Sequence, residues 1–167
     1  MRKFMIGKPR KIGKLISEIS EGDNLSVTEN IEDKDILLYL GLTNDANPLF
    51  IQHDYASQTA YEKPLVPTVM LIGIMTSAIS KHLPGPGSLV VNVSVNLLNP
   101  VFHYETITFD FEVIRVDLMK EVITITVDGK NMKDERVIDA VFMVEPPRLL
   151  GLPEEIEEQN EVEETTK

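Results

Sequence analysis

An antiparallel sheet curled round a single hydrophobic helix, an α+β fold, is what this sequence predicts, and three observations predict it. First, residues 67–82 place Val69, Met70, Leu71, Ile72, Ile74, Met75 and Ile79 nearly all the way round a helix, and such a helix must be buried on most sides. Second, four later runs alternate with period two and are rich in β-branched residues, which is the pattern of strands. Third, the Leu-Pro-Gly-Pro-Gly break at 83–87 separates the helix from the strands, so that the second half of the chain can wrap the first.

The elements follow in order. Residues 1–23 mix lysine, glycine and serine and read as an arm, with a weakly amphipathic piece at 15–19. Residues 24–30 alternate and predict a short strand. Asp33 stands as the cap of a helix over 34–41, with Ile36, Leu37 and Leu40 on one face. Asp54 caps a second short helix over 55–61, which Pro64 ends. In the long helix Pro67 falls at the start and Thr68 is the cap. Leu89, Val91, Val93, Val95 and Leu97 begin the sheet, and Ile107, Phe109, Phe111 and Val113 continue it. Ile123, Ile125 and Val127 form the third run and 136–144 the fourth, with hairpin-sized links at 117–120 and 128–133.

Composition bounds the chemistry. With 43% apolar and 26% charged residues over 167 positions, one soluble domain is expected. The absence of cysteine removes disulfides, thiolate metal sites and thiol catalysis, and fits a cytoplasmic protein. No continuous apolar stretch at the N-terminus suggests a secretory signal, and the longest apolar run, 66–78, is too short to span a bilayer. The net charge of −11 is unevenly spread. Arg2, Lys3, Lys8, Arg10, Lys11 and Lys14 form a basic arm, and residues 153–167 carry seven glutamates against Lys167. These arms cancel, so the body is itself acidic and a nucleic-acid partner is not expected. No spacing supports a metal cluster or a Ser-His-Asp triad.

Residues 39–56 hold the stretch with chemical content. Tyr39, Thr43, Asp45, Asn47, Pro48, Leu49 and Ala56 surround a polar loop that meets an apolar wall at Leu49-Phe50-Ile51. Pro48 removes a donor and pushes Asn47 out of helical geometry, which fixes a bend. An aspartate in such a loop is most often a cap or a turn former, and a reagent only with further support.

That support is a resemblance. The stretch resembles the signature of the MaoC-like (R)-specific enoyl-thioester hydratases: an aromatic residue, then Ser/Thr-Gly-Asp-x-Asn-Pro-aliphatic-His and a small residue further on. Asn44 stands where that pattern has glycine, and Phe50 where it has the catalytic histidine. The likeness extends over residues 20–147, leaving 1–19 as the basic arm and 148–167 as an acidic, disordered tail. It implies a hot-dog fold, the same architecture that the periodicity gives.

It also implies the chemistry, the hydration of a trans-2-enoyl thioester to an (R)-3-hydroxyacyl thioester and its reverse. Asp45 becomes the general acid and base and Asn47 its polar partner. The backbone N–H groups near Thr68 and Val69 face the thioester carbonyl, and Pro48 and Phe50 complete the substrate wall. The family usually has His-Gly where this chain has Pro67-Thr68. A phenylalanine cannot exchange protons, and one general acid–base group contributes roughly 10²–10⁴-fold. Of the three histidines, His53 reads as a solvated or capping residue, His82 as a helix-end cation and His103 as a strand-edge residue.

The expected function is therefore hydro-lyase action on acyl-CoA. The alternative is a non-catalytic acyl-thioester binder, or the silent subunit of a paired hydratase. A thioesterase ranks last, because 68–81 lacks a carboxylate. No cofactor is expected beyond the coenzyme A of the substrate, for which Lys63, Lys81 and Lys130 are candidate cations. Open sheet edges and the resemblance predict a homodimer with the acyl tunnel near its interface.

Overall fold

In the computed structural model, residues 11–148 are described, so the basic arm before residue 11 and the acidic tail after 148 lie outside them. Five antiparallel strands form one sheet: β1 (Asn24–Asn30), β2 (Leu89–Leu97), β3 (Thr106–Asp117), β4 (Val122–Asn131) and β5 (Arg136–Glu145), in the order β1-β3-β4-β5-β2. Between β1 and β2 lie α1 (Asp33–Thr43), the single turn α2 (His53–Ala56) and α3 (Thr68–His82).

The sheet packs on one side of α3; the other side is more open than the helix's all-round apolarity predicts, with Val69 exposed. Leu71, Met75, Ala78 and Ile79 are buried, and Met70, Ile72 and Ile74 pack against the same core. From the sheet, Ile107, Phe109, Phe111 and Val113 of β3 meet Ile123, Ile125 and Val127 of β4 and Phe142 and Val144 of β5. The core is tight at one cross-strand row, where Gly129 stands between Phe109 and Ile138. A Cβ built on Gly129 would lie 2.5 Å from Ile138 Cγ2 and 3.2 Å from the Phe109 ring. Gly129→Val is therefore expected to destabilise the fold by about 2–3 kcal/mol, read as a lower urea midpoint at unchanged slope.

Several expected boundaries move, each for a local reason. Asp33 is the first residue of α1 rather than its cap; Glu32 holds the cap position, and its N–H donates to the Asp35 carboxylate. Leu37 points outward, while Ile36 and Leu40 face the core. α2 is one turn long and includes Asp54, whose carbonyl accepts from Ser57 and Gln58 side chains. Pro67, not Thr68, occupies the cap of α3. The strands are longer than the alternation alone suggests, so Asp117 and residues 128–131 belong to strands and the links shrink to 118–121 and 132–135. In β2 a bulge between Val90 and Asn92 breaks the alternation, and Leu89, Val91, Val93 and Leu97 are exposed along an edge strand. Upstream, residues from Gly13 onward pack on the domain: Gly13 and Lys14 donate to the carbonyls of Pro86 and Pro84, and Ile19 is buried.

Candidate active site

The motif loop is built by two successive side-chain turns. Helix α1 ends at Asn44 in the left-handed region, φ 54°, which asparagine tolerates better than most residues. This is how the chain manages without glycine there. Asp45 Oδ1 then accepts from the Asn47 N–H at 3.0 Å, and Asn47 Oδ1 accepts from the Leu49 N–H at 3.1 Å. Pro48–Phe50 is a 3-10 turn, and the Gln52 N–H closes it on the Pro48 carbonyl at 2.8 Å. The loop is tied to the fold where Leu65 N–H donates to the Leu49 carbonyl and Val66 N–H to the Val101 carbonyl.

This construction brings Phe50 to the wall of an open, mainly apolar cavity of about 270 Å³ at the N-terminus of α3. Leu65, Thr68, Leu71, Leu97 and Val137 also line it. Met70 N–H donates to the Pro67 carbonyl, whereas the N–H groups of Thr68 and Val69 have no partner among the described residues. Two unengaged amides at the positive end of a 15-residue helix, beside an apolar hollow, can stabilise an oxygen that gains negative charge. Thr68 lines the hollow and Val69 is 56% exposed beside it.

Of the expected site residues, Phe50 and Thr68 are thus brought together, and Asp45, Asn47 and Pro48 are joined in the loop that feeds them. Asp45 is half-buried, its Oδ2 carries no hydrogen bond among the described residues, and it is not one of the cavity's lining residues. The candidate cations do not converge. Lys63 lies two residues before Leu65, Lys130 pairs with Asp134 at 3.2 Å, and Lys81 borders a separate groove against β1.

A second group of polar residues was not expected. His103 sits in the turn before β3, not on a strand edge, and its side chain is only 6% exposed. Its Nε2 lies 2.8 Å from the Phe50 carbonyl and its Nδ1 3.1 Å from Asp33 Oδ1, while the Tyr104 hydroxyl donates to Asp33 Oδ2. The Tyr104 hydroxyl, opposed by partial desolvation and helped by His103, holds the Asp33 carboxyl below its ordinary range; the same bond raises the Tyr104 phenol. The available signal was the run Pro100-Val101-Phe102-His103-Tyr104-Glu105, which stands where the hydratases this sequence resembles tend to have Pro-Val-x-x-Gly-Asp, so that Tyr104, at φ 65°, takes the place of the glycine. A bulky residue in the left-handed region requires a compensating contact.

Residues 17–134 match the MaoC like domain. The chain belongs to the MaoC-like family. Among MaoC-like relatives, an (R)-specific enoyl-CoA hydratase of Rhodospirillum rubrum is 32% identical over 117 residues, 68% of this chain and 81% of that protein. The solved R-hydratase PhaJ1 of Pseudomonas aeruginosa superposes with a TM-score of 0.76 at 22% identity, over 84% of this chain and 94% of the other. A chain from the ChsH1-ChsH2 complex of Mycobacterium tuberculosis does so at 0.69 and 21% identity, over 76% and 98%. The sheet packed on α3 is accordingly the hot-dog fold of the family, whose members are hydratases and dehydratases of acyl thioesters.

Proposed function

We propose that this chain hydrates trans-2-enoyl-CoA to (R)-3-hydroxyacyl-CoA, reversibly, with Asp45 as its retained proton-transfer group. The observation that carries this reading is the pair of unengaged Thr68 and Val69 amides at the mainly apolar cavity to whose wall the Asp45 loop brings Phe50. The thioester carbonyl rests on the two N–H groups, and the acyl chain lies against Phe50, Leu65 and Leu71. Charge that develops on that oxygen during addition is met by donors already in place. Asp45, through its unengaged Oδ2, takes a proton from water as oxygen adds to C3; a proton returns to C2. Asn47 keeps Asp45 in place through its backbone N–H.

Coenzyme A suits the charge balance better than an acidic carrier protein does, because the body of the domain is acidic. Of the three candidate lysines, Lys63 is the nearest to the cavity by sequence, between the lining residues Tyr61 and Leu65. The reading places the protein in the cytoplasm, as a homodimer paired through the exposed edge of β2. Leu97 lines the cavity and ends β2, so a second copy on that edge would stand beside the acyl site.

A second reading has its own support: Phe50 lines the cavity and Asp45 does not. A non-catalytic acyl-thioester binder, or one half of a two-component hydratase, is the alternative, and a complex of two named components is among the structural neighbours. Both readings require acyl-thioester binding at α3. Titrating the ¹⁵N-labelled chain with butyryl-CoA is expected to shift the amide signals of Thr68 and Val69 first. Binding that leaves both unmoved, or shifts only remote amides, would remove the carbonyl site.

A further inference from the structure

Phe50 and Tyr104, which stand where the family has histidine and glycine, are physically joined through His103 and Asp33. We infer that His103 is a positioning residue that fastens the Asp45–Phe50 loop to α1 only when its ring carries two protons, so that the loop is clamped in acid and loosened in base.

The chemistry of its partners requires this. The Phe50 carbonyl can only accept a hydrogen bond, and an ionised Asp33 can only accept as well. With acceptors at 2.8 and 3.1 Å, both ring nitrogens must donate, and a neutral imidazole has one N–H. If the remaining proton stays toward Phe50, the Nδ1 lone pair faces the Asp33 carboxylate and that contact becomes repulsive. The ring itself is almost fully enclosed, while the Asp33 carboxylate is half exposed. A cavity of about 80 Å³ bounded by Ile36, Leu37, Ile51 and His53 adjoins the ring and gives it room to turn away.

The charges round the ring are named by the fold. Asp33, with Glu32 beside it, comes from α1 and faces Nδ1. Tyr104, in the same turn as His103, reinforces Asp33 by donating to its other oxygen. Glu105 is occupied by the Phe102 N–H. His53 of α2 meets the ring edge-on at 6.3 Å and opposes the charge when it is itself protonated. The clamp does not depend on turnover; what it means for catalysis rests on the hydratase reading.

Amide hydrogen exchange tests the clamp without substrate. Protection factors of Phe50, Gln52 and Leu65, whose N–H bonds define the loop, are measured at about pH 5 and about pH 8, the span over which histidine changes charge. Loss of one charge-assisted bond predicts about tenfold lower protection at the higher pH, with Ile125 in β4 unchanged. His103→Gln keeps a donor for the Phe50 carbonyl but cannot carry charge, so its protection should be equal at both values. Should that variant fail to fold, Asp33→Asn serves the same purpose, because an amide satisfies either ring tautomer and should abolish the tenfold difference. Equal protection in the unmodified protein at both pH values overturns the inference, as does a tenfold change that survives in a folded variant. A tenfold change in a protein without hydratase activity leaves the clamp standing and removes the hydratase reading.

Discussion

Asp45→Asn is expected to lower the rate of crotonyl-CoA hydration at least a hundredfold, within the roughly 10²–10⁴-fold contribution of a general acid–base group. The substitution is selective. An asparagine oxygen still accepts from the Asn47 N–H, so the turn that seats Pro48–Phe50 survives. What disappears is the proton-accepting carboxylate. The loss should fall on kcat more than on KM, because the carbonyl donors belong to α3 and are untouched. Equal rates from the two proteins would remove Asp45 from the chemistry.

Phe50→His is the complementary change, and it is expected to raise the same rate about a hundredfold. The backbone at position 50 is already fixed, with its N–H on the Asn47 carbonyl and its own carbonyl against His103. The residue already stands at the wall of the cavity at the α3 N-terminus. An imidazole there would supply the second proton-transfer group beside the acyl site without new backbone geometry. If the folded variant gains nothing, position 50 does not face the reacting carbons in this chain. A gain in Phe50→His that is lost again in the Asp45→Asn double variant would show the two residues acting as a unit.

Most of the architecture was legible because it rests on periodicity. The continuous apolar surface of residues 69–79 called for a covering sheet, and the period-two runs from residue 89 onward supplied one, on one side of the helix. β2 was harder to read. Its alternation looks uniform in sequence, but a bulge and its place at the sheet edge leave Val91 and Val93 exposed. Such a shift depends on which strand is last in the sheet, and local pattern does not encode that.

The site was legible where it is local. Asp45, Asn47 and Pro48 lie within four residues, and their Asx turns follow from the side chains themselves. The His103 cluster joins positions 70 and 53 residues apart in the chain. Asp33 looked like a cap and His103 like a strand-edge residue because each has an ordinary local role, and only the packed fold puts them in contact. Tyr104 in place of a glycine was the one trace of that contact in the sequence.

The most direct measurement is the hydration of crotonyl-CoA by the purified, unmodified chain, with the configuration of the product assigned. The hydratase reading predicts turnover above the buffer rate and an (R)-3-hydroxybutyryl-CoA product. No turnover from a folded chain that binds butyryl-CoA at Thr68 and Val69 would contradict it and leave an acyl-thioester binder or the silent half of a pair.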